Sequence, residues 1–251
     1  MEMQNAENKD KPPTYSSIAN ASGVESHTLV TQQPKPQAGA GSIGTAQVTR
    51  RAASNCPRGL EYLASVDQLL ITEQVETWGN TYVVKNALGQ RVFVATEQSS
   101  CMSQACGGEE RSINISICDN FNSEVIQVYR PEDCCNCCEM PAVEVSASGN
   151  LIGSIQKETT FMTPVFDIRN HAGDSVLRLK GSALSHHKFE LHAMNGNTIG
   201  KIVKQWSGLA RELFTDADCF GISFPLDLDV RMKAVLLGAT FLIDFLYFEN
   251  N

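Results

Sequence analysis

The stretch Leu228 to Phe248, LDVRMKAVLLGATFLIDFLYF, is the most apolar segment of the chain and constrains its fold more than any other feature. No residue from Ala234 to Ile243 is charged, Asp244 interrupts, and Phe245-Leu246-Tyr247-Phe248 follow. Crossing a bilayer takes about 20 apolar residues to span about 30 Å of hydrocarbon. Ala234 to Phe248 is shorter: at about 1.5 Å per residue it covers little more than 20 Å. A carboxylate near the bilayer centre adds a few kcal/mol of cost. A helix apolar all round and too short to span is expected in a protein core. The remainder of the chain must then enclose it.

The 251 residues suffice for one large domain or two small ones, and 42% hydrophobic residues supply a sizeable core. A net charge of -8 and a pI near 5.2 argue against a broad nucleic-acid-binding face. The start, MEMQNAENKDKPPTY, has no apolar central region and does not read as a signal peptide, which points to a cytosolic start where thiols stay reduced. The nine cysteines fit poorly with a closed disulfide framework.

Residues 1–54 read as a disordered tail. They hold four of the nine prolines and a single aromatic, Tyr15, too little apolar surface to offset ordering entropy. Pro12-Pro13-Thr14-Tyr15 is a PPxY pattern; the prolines preset an extended ligand and Tyr15 offers a flat anchor to the aromatic groove of a WW domain. Chance is the competing explanation of so short a motif.

Residues 55–251 read as one domain. Short alternating runs begin at Leu69, Thr81, Arg91, Ile113, Glu124, Val143, Leu151, Val165, Ser175, Phe189, Thr198 and Gly221, separated by turn formers such as Ser148-Gly149-Asn150 and Asn195-Gly196-Asn197. The spacing predicts a mainly β fold, an antiparallel barrel or sandwich of about 12 strands. A barrel of that size is too wide for its own side chains to fill. The C-terminal helix at 228–248 is the expected filling, and Gly208 to Phe214 is the other stretch with helical character.

Three groups of residues point to chemistry. Cys134, Cys135, Cys137 and Cys138 are the densest. They could carry palmitoyl chains, since two or more acyl chains give stable anchoring. Zinc is the second reading, although adjacent cysteines lack the usual ligand spacing, and an unmodified loop is the third. Cys101 and Cys106 form a weaker cluster. The run from Asp216 to Asp227 resembles a twelve-residue calcium loop, with Asp216 and Asp218 at positions one and three, Gly221 at six and Asp227 at twelve. Phe220, Ile222 and Phe224 could give calcium only backbone carbonyls, and their alternation equally fits the inward face of a strand. Lys201, Lys204 and Trp206 fit an import signal, an interfacial lipid contact or a strand end with solvated lysines; His186-His187 reads as loop. No GxSxG, P-loop or HExxH pattern is present, so neither a common hydrolase nor an NTPase is indicated.

At these residues the chain resembles the phospholipid scramblase family. The matching stretches are Cys56–Leu63 (CPRGLEYL), Asn86–Phe93 (NALGQRVF), Gly200–Trp206 (GKIVKQW) and, most specific, Phe214–Glu249. The resemblance implies a tubby-like fold, a twelve-stranded closed barrel around a central apolar helix. It also implies a single-pass description with the same segment in the membrane; the two conflict. It implies calcium-activated, ATP-independent movement of phospholipids between leaflets, with Ca2+ at Asp216, Asp218, Phe220, Ile222, Phe224 and Asp227 and palmitate on Cys134, Cys135, Cys137 and Cys138. Its nuclear-import segment falls on Gly200 to Leu209, where only Lys201 and Lys204 are cationic. Expected partners are membrane phospholipids and WW- or SH3-domain proteins, at the cytoplasmic face of the plasma membrane. Scrambling by so short a helix would need homo-oligomers or helix extrusion, because a headgroup path needs polar surface at membrane depth. A palmitoyl-tethered lipid-binding adaptor without scrambling activity is the alternative.

Overall fold

The computed structural model describes residues 56–76, 79–98, 112–130, 142–182, 185–204 and 219–248. Within them the alternating runs form twelve antiparallel strands. These are β1 (Gln68–Glu76), β2 (Gly79–Asn86), β3 (Arg91–Glu97), β4 (Ile113–Cys118), β5 (Glu124–Arg130) and β6 (Val143–Ala147). They continue with β7 (Asn150–Glu158), β8 (Val165–Asn170), β9 (Ser175–Ser182), β10 (Ser185–Ala193), β11 (Thr198–Lys204) and β12 (Cys219–Ser223). Each strand pairs with its sequence neighbour, and β1 pairs with β12 at Leu69↔Ile222 and Ile71↔Phe220, so the sheet closes and no edge remains. The predicted strand starts fall within a few residues of the observed ones. His186-His187 is a departure, since both belong to β10 rather than to a loop.

The turns explain the register. Gly89, Gly149, Gly173 and Gly196 occupy the left-handed region at hairpins where a β-carbon would be strained. Asn86, Asp119 and Asn170 each accept two backbone N–H bonds through a side-chain oxygen, closing the β2–β3, β4–β5 and β8–β9 turns.

Helix α1 (Val230–Tyr247) runs through the barrel. Asp229 caps it by accepting the Arg231 N–H at 2.8 Å. Every residue from Met232 to Leu246 is buried. Each large apolar side chain so enclosed is worth about 1.5–3 kcal/mol. The helix packs closest to β7, β6, β8 and β12 and to a 3₁₀ turn at Glu61–Ser65. Two glycines set that approach. A β-carbon on Gly153 of β7 would lie 2.4 Å from the Arg169 carbonyl oxygen and 2.8 Å from Val235 Cγ2. On Gly238 it would meet Val145 Cγ2 at 3.0 Å. Among the described residues no helix is long and apolar enough to cross a membrane. The core reading of the C-terminal segment is therefore the one the fold adopts, and the single-pass reading is not.

Candidate functional site

The two ends of the barrel differ. At the entry end, where α1 begins, lie the β2–β3, β4–β5, β6–β7, β8–β9 and β10–β11 turns and the 3₁₀ turn. Here Lys233, wholly buried in the helix, donates from Nζ to the carbonyls of Leu63 (2.8 Å), Val66 (2.8 Å) and Leu226 (2.7 Å). The three ammonium donors meet three acceptors, and the Nζ stands 5.2 Å from the Phe224 ring centroid. Burial pushes the Lys233 pKa down to about 8, while Asp67 and Asp227 pull it up. The same end has an open cleft of about 740 Å³ lined by Tyr62, Arg91, Asn120 and Phe121 among others. Its polar groups are engaged locally: Arg91 Nε donates to Asn120 Oδ1 at 3.0 Å, and Asn86 Nδ2 donates to the Tyr62 hydroxyl at 2.6 Å.

At the exit end, α1 finishes in an aromatic cluster. Phe166, Phe189 and Tyr247 pack with centroids 5.8 to 6.4 Å apart, and Phe220 and Phe248 meet at 5.6 Å. His187 stacks on Phe248 at 5.6 Å. Cations cover the rings: Lys204 Nζ is 4.1 Å from the Phe248 centroid and Lys157 Nζ 5.8 Å from that of Tyr247. Slightly deeper, Arg130 lies 5.3 Å over Phe245, and Asp244 accepts the Tyr82 hydroxyl at 3.0 Å. Asp244, the interruption in the apolar run, is thus a partnered core residue.

The predicted site residues distribute unevenly over this frame. Phe220 and Ile222 lie on β12, which is laddered to β1 on one side and to β11 on the other, and Phe224 is buried with its N–H donating to Asp67 O at 3.0 Å. Residues 219–223 thus form a buried strand, and the inward-face reading of Phe220 and Ile222 describes them. Asp227 is exposed; Asp216 and Asp218 lie outside the described residues. Lys201 and Lys204 belong to β11, paired on both sides, and Lys204 is covered by Phe248 rather than solvated. Trp206, Cys134, Cys135, Cys137, Cys138, Pro12, Pro13, Tyr15, Cys101, Cys106 and the helical stretch 208–214 also lie outside the described residues. Strand direction nevertheless fixes where their flanks are. Arg130 and Val143, bracketing the four cysteines, and Lys204 and Cys219, bracketing Trp206, Asp216 and Asp218, are all at the exit end. Among the described residues no three His, Cys, Asp or Glu side chains are placed to hold a metal ion.

Sequence reading missed two features. The Lys233 cage had only a lysine before an apolar run as its signal. The other is the β7–β8 loop, where Phe161 is fully exposed at 103% and Met162 is 75% exposed.

The pattern of the Scramblase family matches residues 47–250. Phospholipid scramblase 1 of Mus musculus is 44% identical over 214 residues, covering 78% of this chain and 65% of that protein. Phospholipid scramblase 2 of Bos taurus is 43% identical over 213 residues, 78% of this chain and 73% of that one. Phospholipid scramblase family member 5 of Homo sapiens is 38% identical over 213 residues, covering 78% and 79%. The matched region is thus slightly under two thirds of the mouse relative's length.

Proposed function

The chain belongs to the scramblase family, and from that premise we propose that it handles membrane phospholipids, moving them between leaflets in both directions without ATP when calcium rises. The observation that carries this reading is the family match across the whole barrel and its helix, residues 47–250. In this reading Cys134, Cys135, Cys137 and Cys138 carry palmitoyl chains that hold the protein on the cytoplasmic face of the plasma membrane. Two or more chains make such anchoring stable. Asp216, Asp218 and Asp227 supply the carboxylates for Ca2+, with other oxygens completing its shell. The Pro12-Pro13-Thr14-Tyr15 motif recruits a WW-domain partner.

A second reading is favoured by the enclosure of α1. A buried helix inside a closed sheet offers no polar path for a headgroup through hydrocarbon. The protein would then be a tethered lipid-binding adaptor. Reconstitution of the pure full chain into vesicles with fluorescent lipid decides between them. Calcium-dependent loss of inner-leaflet protection, abolished in Asp216→Ala/Asp218→Ala, supports transport. Headgroup binding without lipid flip supports the adaptor.

A further inference from the structure

We infer that the β7–β8 loop is a membrane-inserting wedge and that the barrel docks end-on, exit end down, with Phe161 and Met162 buried at the headgroup–acyl boundary of an anionic bilayer. This rests on the reading that the protein works at a membrane, and it names the surface that touches it. Phe161 and Met162 are adjacent at one loop tip and more exposed than any apolar pair elsewhere in the described residues. The loop is held at its base. Gly181 N donates to the Pro164 carbonyl at 2.8 Å, and a β-carbon on Gly181 would lie 2.5 Å from Pro164 Cγ, so only glycine lets the strand approach the loop this closely. The Thr160 hydroxyl donates to the Thr163 carbonyl across the tip. Two apolar side chains are thus projected from a fastened hairpin.

Charge favours a negatively charged surface over a protein groove. In strands β7 to β11 the exit half carries Lys157, Lys180, Lys188 and Lys204 against Glu158 and Glu190; Glu190 sits opposite Lys180 and pairs with Lys188 at 2.8 Å, and Lys204 is buried. Lys180 and Lys188 are exposed, and both flank the loop's side of the barrel. The entry end also exposes apolar residues, Leu88, Phe121, Met194 and Leu226. They sit on separate turns rather than as an adjacent pair, where the carboxylates of Asp119, Asp174, Asp227 and Asp229 stand among the cations Arg58, Arg91 and Arg231. The exit end also carries both strand ends from which the four-cysteine segment departs and returns.

The test uses the full chain with an N-terminal hexahistidine tag, held on phosphatidylserine-containing vesicles by a nickel-chelating lipid. Proximity then depends on neither acylation nor scrambling. Phe161→Trp is compared with Phe121→Trp, each against the wild-type signal of Trp78 and Trp206, using lipids brominated along their acyl chains. Both positions are exposed, and thermal melts confirm that folding is intact. The inference expects bromine quenching and a blue shift for Phe161→Trp and neither for Phe121→Trp. No quenching at position 161, or equal quenching at 121, overturns it. Without the tether, Phe161→Ser/Met162→Ser is expected to weaken vesicle partitioning on the order of tenfold per side chain; unchanged partitioning also overturns it. A null result in the lipid-flip assay leaves these readings intact, so the two ideas fail separately.

Discussion

The Tyr82 hydroxyl donates to the Asp244 carboxylate at 3.0 Å, joining strand β2 to the one acidic residue inside the apolar helix. The pair is 162 residues apart in sequence and fully enclosed, so it forms only when the helix is in the barrel. Tyr82→Phe keeps the ring contact with Phe241, at 4.9 Å, and removes the donor. It is expected to cost about 1–3 kcal/mol, the penalty for depriving a buried acceptor of a partner. Urea unfolding with an unchanged m-value is the check. A Tyr82→Phe protein as stable as wild type would place Asp244 outside the barrel.

Lys233 should behave as a structural cation. Lys233→Met fits the volume but leaves the carbonyls of Leu63, Val66 and Leu226 without their shared donor. The loss at pH 7 is expected to be about 2–4 kcal/mol, by the cost of orphaning buried acceptors. The pH dependence has a definite sign. Burial holds the folded pKa near 8, below the usual lysine value of 10.5. Between these pH values the unfolded chain binds more protons than the folded one, so wild-type stability rises with pH across that window. The destabilisation of the charged form is complete below pH 8 and vanishes above 10.5. Wild type should therefore gain on Lys233→Met from pH 8 to 10.5, as read by paired urea titrations. A difference that stays flat over that range contradicts a buried, desolvated amine.

The two glycines between helix and sheet should respond differently. Gly153→Val places a side chain against the Arg169 backbone carbonyl, which cannot move without breaking the β7–β8 ladder at Gly153↔Asn170. Insoluble or unfolded protein is the expected result on expression. Gly238→Ala meets only side-chain tips, Val145 Cγ2 at 3.0 Å and Val128 Cγ2 at 3.3 Å, and gains about 1 kcal/mol of helix propensity to set against those contacts. Its melting temperature should stay within a few degrees of wild type. The opposite ranking would mean that the helix does not run beside β7.

Phe248 closes the exit end by stacking on His187 and covering Lys204. Phe248→Ala is expected to destabilise by about 1–3 kcal/mol, the loss of a partly buried aromatic with its ring and cation contacts. Hydrogen exchange should rise at Leu246 and Tyr247 before it rises at Leu237. Uniform exchange along the helix would show that the cap is not local.

The sheet was legible because alternation and turn formers are local signals. Ile113 to Cys118 alternates, Asn195-Gly196-Asn197 turns, and both behave as their sequence demands. Enclosure of the helix followed from length alone, since Ala234 to Phe248 is too short for a bilayer and long enough for a barrel. The candidate site was less legible. Phe220 and Ile222 satisfy both a calcium-loop spacing and a strand face, and only pairing with β1 and β11 shows that they lie on a strand. His187 gave no strand signal because its role comes from Phe248, 61 positions away in the numbering and brought near by the fold. Phe161 and Met162 were unreadable for the opposite reason: nothing in a sequence marks an apolar pair as left outside.

Photo-leucine incorporated into the membrane-bound protein tests most directly whether strands, rather than lipid, surround the helix. Trypsin cuts after Lys233 and releases one peptide, from Ala234 to the end of the chain, that carries Leu236, Leu237, Leu242 and Leu246. After irradiation, mass spectrometry should find this peptide joined to peptides from β6, β7 and β8. Joining to acyl chains, with no strand adducts, would contradict the enclosed helix.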